Sequence, residues 1–227
     1  MFAKDISLVI FCKRPALGQG KQRLAASVGQ AAALQVAEAL LDCVLEDAAL
    51  WPGPVVLSPA SESDAEWAAG LGEGNYKVVP QSEGNLGTRI LRVDDQLRAE
   101  GHSRIIYIGS DAPEHNQDVY EQLAALMSDY DVVLTPAADG GVTAMGSAAG
   151  WGELEVLPWS TDQLGEALRQ QAEAAGLSVG FAAGCYDVDQ LSDLQRLQKT
   201  LRDDPRPARQ TLLRITGQLL EEHDGWK

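Results

Sequence analysis

The sequence predicts an α/β fold in which a mostly parallel central sheet is flanked by helices. Three observations predict it. Short apolar, often β-branched runs alternate with longer segments whose apolar residues recur at helical spacing. Turn clusters such as Trp51-Pro52-Gly53-Pro54 punctuate them. Hydrophobic residues make up 45% of the 227, enough for a sizeable core. Alternation of this kind reads as βαβ units.

The elements run in this order. Residues 6–11 form a strand, too short for a signal peptide and with no small-residue cleavage site after it. Residues 31–50 form an Ala/Leu-rich helix, stopped by the Pro-Gly-Pro turn. A strand at 55–57 precedes a short helix at 61–69, opened by Ser61 as N-cap with Glu62 and Asp64 in its first turn. Then come a strand at 76–79, a helix at 86–100, a strand at 104–108, a helix at 116–128 and a strand at 131–134. The second half is less regular. It offers strands at 142–145 and 178–181 and helices at 161–175, 191–202 and 211–222. The last helix is amphipathic and is expected to cover the sheet or a homodimer interface. Trp51, Trp67 and Trp151 fall near element ends and read as packing residues. No repeat, linker or composition break divides the chain, so 1–227 reads as one domain.

Net charge is −15, which opposes nucleic-acid phosphates and anionic lipid. No run approaches the roughly 18 apolar residues of a membrane span. The three cysteines, Cys12, Cys43 and Cys185, are far apart and odd in number, which suggests reduced thiols and a cytoplasmic location. His102, His115 and His223 are scattered, so a structural zinc site is not expected. His115 is read as a surface residue in preference to an acid/base group.

Against that acidity, the loop at 13–23 stands out. It comes after a strand, precedes a helix, and carries Lys13, Arg14, Lys21 and Arg23 with Gly18 and Gly20. Glycines let backbone N–H groups approach an anion, and the helix start adds positive potential. The loop is expected to hold nucleotide phosphates. It is not a P-loop, which would need Gly at Pro15 and Ser or Thr at Gln22. Nor is it a Rossmann turn, which would need Gly or Ala at Arg23. Asp111, in Gly109-Ser110-Asp111 at a strand end, is a candidate ligand for a divalent metal (Mg²⁺ or Mn²⁺), though Asp also commonly serves as a turn or cap residue. Asp187 and Asp189, two apart, would share a face on an extended segment; capping of the next helix is an equal reading. Asp139-Gly140-Gly141 by itself is an ordinary hairpin signal.

In this order the segments resemble the DUF2064, or selenodomain-associated transferase 1, family of GT-A-fold, nucleotide-diphospho-sugar transferase-like glycosyltransferases. The family's Lys-x-Pro-x-x-Gly-x-x-Lys-Thr-Arg-Leu is matched by Lys13, Pro15, Gly18, Lys21, Arg23 and Leu24. Its Gln-x-x-Gly-Asp-Leu-Gly-x-Arg is matched by Gln81, Gly84, Leu86, Gly87 and Arg89. Gly109, Ser110, Asp111 and Pro113 match a third segment, and Pro136, Asp139, Gly140 and Gly141 a fourth. Trp159-Ser160-Thr161 and Asp187-Val188-Asp189 match later ones. Three departures stand out. Gln22 replaces Thr, Asn85 replaces Asp, and Val142 and Thr143 replace a pair of aromatics.

The resemblance implies a GT-A fold with a nucleotide-binding half at about 1–113, an acceptor half at about 114–200 and a C-terminal helix at about 207–223. It implies catalytic roles for Asp111, Lys21 and Arg23. Lys13, Pro15, Gly18, Lys21, Arg23, Gln81, Gly87 and Arg89 would bind the nucleotide phosphates. Asp111, Asp187 and Asp189 would bind the metal, and Asp139, Gly140, Gly141, Val142 and Thr143 would wall the acceptor pocket. The leading expectation is glycosyl transfer from a nucleotide sugar to a small acceptor. Nucleotidyl transfer from an NTP to a phosphorylated small molecule uses the same loop and metal. The loss of aromatics at Val142 and Thr143 motivates a third reading, a nucleotide-binding module without turnover.

Overall fold

The computed structural model describes residues 3–72, 74 and 76–224. The first half runs β1 (Ile6–Cys12), α1 (Gln22–Val28), α2 (Gln30–Leu50), β2 (Val55–Pro59), α3 (Ala65–Ala69), β3 (Lys77–Val78), α4 (Leu86–Ala99) and β4 (Arg104–Gly109). The second runs α5 (Gln117–Asp129), β5 (Val132–Pro136), β6 (Val142–Ser147), α6 (Leu164–Ala174), β7 (Val179–Phe181), α7 (Leu191–Thr200) and α8 (Pro207–Asp224). The described strands form one seven-stranded sheet in the order β3-β2-β1-β4-β6-β5-β7. Neighbours run parallel except β6, which is antiparallel to both β4 and β5. This is the mostly parallel, helix-flanked sheet that the alternation of elements predicts.

Both sheet faces are covered, which explains why β1 is apolar at every position but Ser7. Ile6, Leu8 and Ile10 pack with Leu41 and Val44 of α2 and Leu123 and Met127 of α5. Val9, Tyr107, Val132 and Leu134 point the other way, onto Ile90, Val93 and Leu97 of α4 and Leu168 of α6. A third layer lies outside α2, where Leu24, Val36, Leu40, Leu194, Leu197 and Leu212 join α1, α2, α7 and α8. Trp51 and Trp67 pack on the first face and Trp151 on the second, as expected of packing residues.

Two expectations are corrected. The last helix does not cover the sheet. It packs on α2 and α7, because α2 already occupies that face. It also begins at Pro207, earlier than residue 211, since proline at the first helical position has a preset φ and no N–H to lose. The separate helix α1, seven residues long, is too short to show a helical period. Gly29, at φ +86°, breaks it from α2. Among the described residues no helix is long and apolar enough to cross a membrane.

Candidate active site

Strands β1, β2 and β4 are parallel and end on one edge of the sheet. The loops leaving them therefore open side by side, the usual place for a ligand in such sheets. A further segment reaches this edge from the far side. The Cys185 N–H donates to Pro136 O at 3.1 Å, and the Val188 N–H to Asp111 O at 2.9 Å. Along this extended run Tyr186 and Val188 are buried, while Asp187 and Asp189 are half-buried. The alternation expected of the two carboxylates is present.

Asp111 and Asp189 meet at Lys21. Its Nζ lies 2.7 Å from Asp111 Oδ2 and 3.3 Å from Asp189 Oδ1. The Lys21 side chain is only 7% exposed, against 43% and 47% for its two partners. The ammonium sits inside and the carboxylates face out. Burial opposes the Lys21 charge, but Asp111 and Asp189 outweigh it and raise its pKa. Burial also pushes the Asp187 carboxyl up to about 7, with Asp111, Asp189 and Asp139 adding to the rise and Lys21 opposing it. Arg23 adds little, at 3.9 Å from Asp189 and 75% exposed.

The loop geometry brings Lys21 inward. Gly18 and Gly20 have φ of +73° and +69°, and Lys21 itself has φ +46°. For a lysine that left-handed turn costs about 1–3 kcal/mol. Gln22 braces it, its Nε2 donating to Gly18 O at 2.9 Å and Gly20 O at 3.1 Å. A threonine hydroxyl, with one proton, cannot donate to both.

The outer arm of the same loop borders a cleft of about 730 Å³. Lys13, Arg14, Pro15 and Gln19 line one wall, and Ser61, Ser63, Asp64 and Arg89 the other. Gln81 lies behind Arg89. It donates to Ser58 O at 2.8 Å and accepts from Arg89 Nη1 at 3.5 Å. Asn85 caps α4, accepting from the Thr88 N–H at 2.9 Å, and its own amide donates to Glu155 O at 2.7 Å. An aspartate could cap but could not donate. Both Gln22 and Asn85 thus use amide protons that threonine and aspartate lack. Gly87 is required by packing: a Cβ there would lie 2.2 Å from Leu154 O.

Asp139-Gly140-Gly141 is the turn between β5 and β6. Asp139 Oδ1 accepts from the Gly141 N–H at 3.1 Å, and a Cβ on Gly140 would meet Asp162 O at 2.0 Å. Val142 packs against the second core face. Thr143 is buried, and its Oγ1 is hydrogen-bonded to His115 Nε2 at 3.1 Å. His115 is therefore not the surface residue expected. It is 2% exposed, with Tyr120 edge-on against its ring. Burial, then Arg209 and Arg206, depress its pKa to about 4.

Residues that motif reasoning missed support the Asp111 loop from behind. Arg209 is fully buried and donates to Pro113 O at 3.3 Å, His115 O at 3.1 Å and Asp47 Oδ2 at 2.6 Å. Arg206 joins Asp47 at 2.7 Å and His115 O at 3.0 Å. The signal in the sequence was Asp47, a carboxylate at helical spacing from the apolar Leu40, Cys43 and Val44. A larger cleft of about 880 Å³ lies elsewhere, between α2 and α5, lined by Leu50, Trp51, Tyr120 and the paired Asp47 and Arg206. Its charged lining residues are Lys4, Glu121 and the Asp47–Arg206 pair, the last two already engaged with each other.

Among solved structures, the chain is similar to one described as a "putative nucleotide-diphospho-sugar transferase" from Desulfovibrio desulfuricans G20. Identity is 21%, coverage 97% of this chain and 98% of that one, and the TM-score 0.87. It is also similar to the 4-diphosphocytidyl-2C-methyl-D-erythritol synthase of Anaerococcus prevotii DSM 20548, at 13% identity, 84% and 95% coverage and a TM-score of 0.51. These likenesses show the nucleotide-diphospho-sugar transferase-like fold. No curated protein matches the sequence. The bacterial family DUF2064, described as an uncharacterized protein conserved in bacteria, matches residues 40–161, more than half of the chain, and the chain belongs to that family.

Proposed function

We propose that this protein is a divalent-metal-dependent transferase that binds a nucleotide diphosphate-sugar and transfers its glycosyl group to a small acceptor. One observation carries the reading. A group of carboxylates with a single buried ammonium lies at the strand ends, beside a cleft rimmed by Lys13, Arg14 and Arg89.

The donor set suits a metal such as Mg²⁺ or Mn²⁺. Carboxylate oxygens are the hard ligands such ions take. Asp111, Asp187 and Asp189, with Asp139 nearby, carry more negative charge than Lys21 balances. Among the described residues no three ligand side chains are already closed around one point. When bound, the metal would supply charge neutralisation at a diphosphate. Lys13 and Arg89 would hold phosphate oxygens across the cleft, and Gly18 would let the loop backbone approach them. Lys21 and Arg23 would stabilise the leaving nucleotide. The 139–143 turn and strand start would border the acceptor. Thr143, held by His115, would keep that border fixed, and the absence of two aromatics there points to an acceptor that is not stacked.

The test is calorimetry with UDP, GDP and their sugars in Mn²⁺. Binding should need Mn²⁺ and be lost in Asp111→Ala. Release of pyrophosphate from an NTP in the presence of a phosphorylated acceptor would reassign the reaction to nucleotidyl transfer. Tight nucleotide binding with no turnover across an acceptor panel would reassign the protein as a binding module.

A further inference from the structure

Lys21 occupies an uncommon position for a residue expected to face phosphates. Its ammonium lies between Asp111 and Asp189, at 2.7 and 3.3 Å, and is nearly closed off from solvent. Those two carboxylates are among the ones the proposed function gives to a divalent cation. An ammonium and a metal ion compete for this pair: two cations held at contact distance between the same carboxylates repel. Lys21 also sits in the left-handed region, a conformation that the two ion pairs and the Gln22 brace together sustain. The backbone on its N-terminal side is glycine at 18 and 20, both with positive φ, which leaves this stretch freer to rearrange than the strand or helix it joins.

We infer that Lys21 is the resident counter-ion of this carboxylate pair, and that a divalent cation enters by displacing it. The exchange rests on the metal-binding reading above and adds a regulation to it. Without metal, the ammonium offsets part of the charge of Asp111 and Asp189 and keeps the phosphate loop folded inward. With metal, Lys21 is released from the carboxylates and its charge becomes available to an anionic ligand. Metal occupancy and a free Lys21 are then one event, so the loop presents its buried cation only when the metal is in place. The apparent metal affinity is lowered by the fraction of molecules in which Lys21 already holds the site.

Two measurements on the full chain test this. Wild-type protein is treated with an amine-acylating reagent with and without MnCl₂, and Lys21 is read by peptide mass spectrometry against exposed Lys13. Mn²⁺ affinity is measured by calorimetry for wild type, Lys21→Met and, as a control for loss of nearby charge, Arg23→Gln. Exchange predicts that Mn²⁺ raises Lys21 acylation several-fold relative to Lys13. It also predicts that Lys21→Met binds Mn²⁺ on the order of tenfold more tightly, while Arg23→Gln stays close to wild type. Mn²⁺ binding that leaves Lys21 acylation unchanged or lower overturns the exchange and spares the metal site. Absence of Mn²⁺ binding in both wild type and Lys21→Met overturns the metal reading itself. The labelling result needs no variant, so a misfolded Lys21→Met would not leave the exchange untested.

Discussion

Two ion clusters lie on either side of the Asp111 loop, and they are built on opposite principles. Behind the loop, Arg206 and Arg209 face Glu46, Asp47 and Asp204, and Tyr120 OH donates to Asp47. Two guanidiniums meet three carboxylates there, and Arg209 is fully buried with Asp47 nearly so. In front, Asp111 and Asp189 share one buried lysine, Asp187 lies in the field of both and of Asp139, and Asp111 and Asp189 stay open to solvent. A cluster that satisfies itself is a strut. A cluster that carries surplus charge at an open edge is the candidate for a ligand. Motif spacing cannot tell them apart, because both are runs of Asp, Glu, Lys and Arg; the balance of charge and the exposure can.

The largest effect should come from breaking the rear cluster. Arg209→Met leaves Asp47 buried with one partner fewer and should cost about 3–5 kcal/mol, read as a lowered urea midpoint. If that variant unfolds as wild type does, the rear network is not a strut. Next is His115, which lies over the same network, with Arg206, Arg209 and Tyr120 against it. Its folded pKa of about 4 lies below its usual 6.5, so the folded state holds it neutral. Its contribution is complete above pH 6.5 and is lost as pH falls toward 4, by roughly 3 kcal/mol. His115→Gln should flatten that part of the stability-against-pH curve relative to wild type. An unchanged slope would mean that the ring is not buried in neutral form. Smallest is the effect in the front cluster. Asp187→Asn, measured in chelator, should leave stability unchanged or raise it by on the order of 1 kcal/mol, since it removes a carboxylate whose charge is opposed by burial and then by neighbouring carboxylates. A loss comparable to that of Arg209→Met would erase the distinction between the two clusters.

Most of the fold was legible because buried parallel strands and Ala/Leu-rich helices declare themselves locally. The strand at β1 and the long helix α2 are examples. Legibility failed where tertiary contact decides. Helix α1 is too short to show a period, and α8 starts at Pro207, a residue that ends helices as readily as it begins them. The candidate site divides in the same way. Lys13, Pro15 and Arg89 come together across one cleft, and Asp111 and Asp189 meet through Lys21. Lys21 could be singled out from spacing, but not the direction it faces, which depends on the positive-φ backbone at Gly18, Gly20 and Lys21 itself. Gly87 carried a motif and proves to be a packing glycine. His115 and Thr143, 28 positions apart, are joined only by the antiparallel insertion of β6 beside β4. Nothing local in the sequence marks that contact.

The most direct test of the central claim is Mn²⁺-dependent nucleotide-sugar binding, measured by calorimetry on wild type and Asp111→Ala under identical conditions. The surplus-charge cluster predicts heat of binding for wild type only when Mn²⁺ is present, and none for Asp111→Ala. Equal binding by the two proteins, or binding by wild type that ignores Mn²⁺, would contradict it.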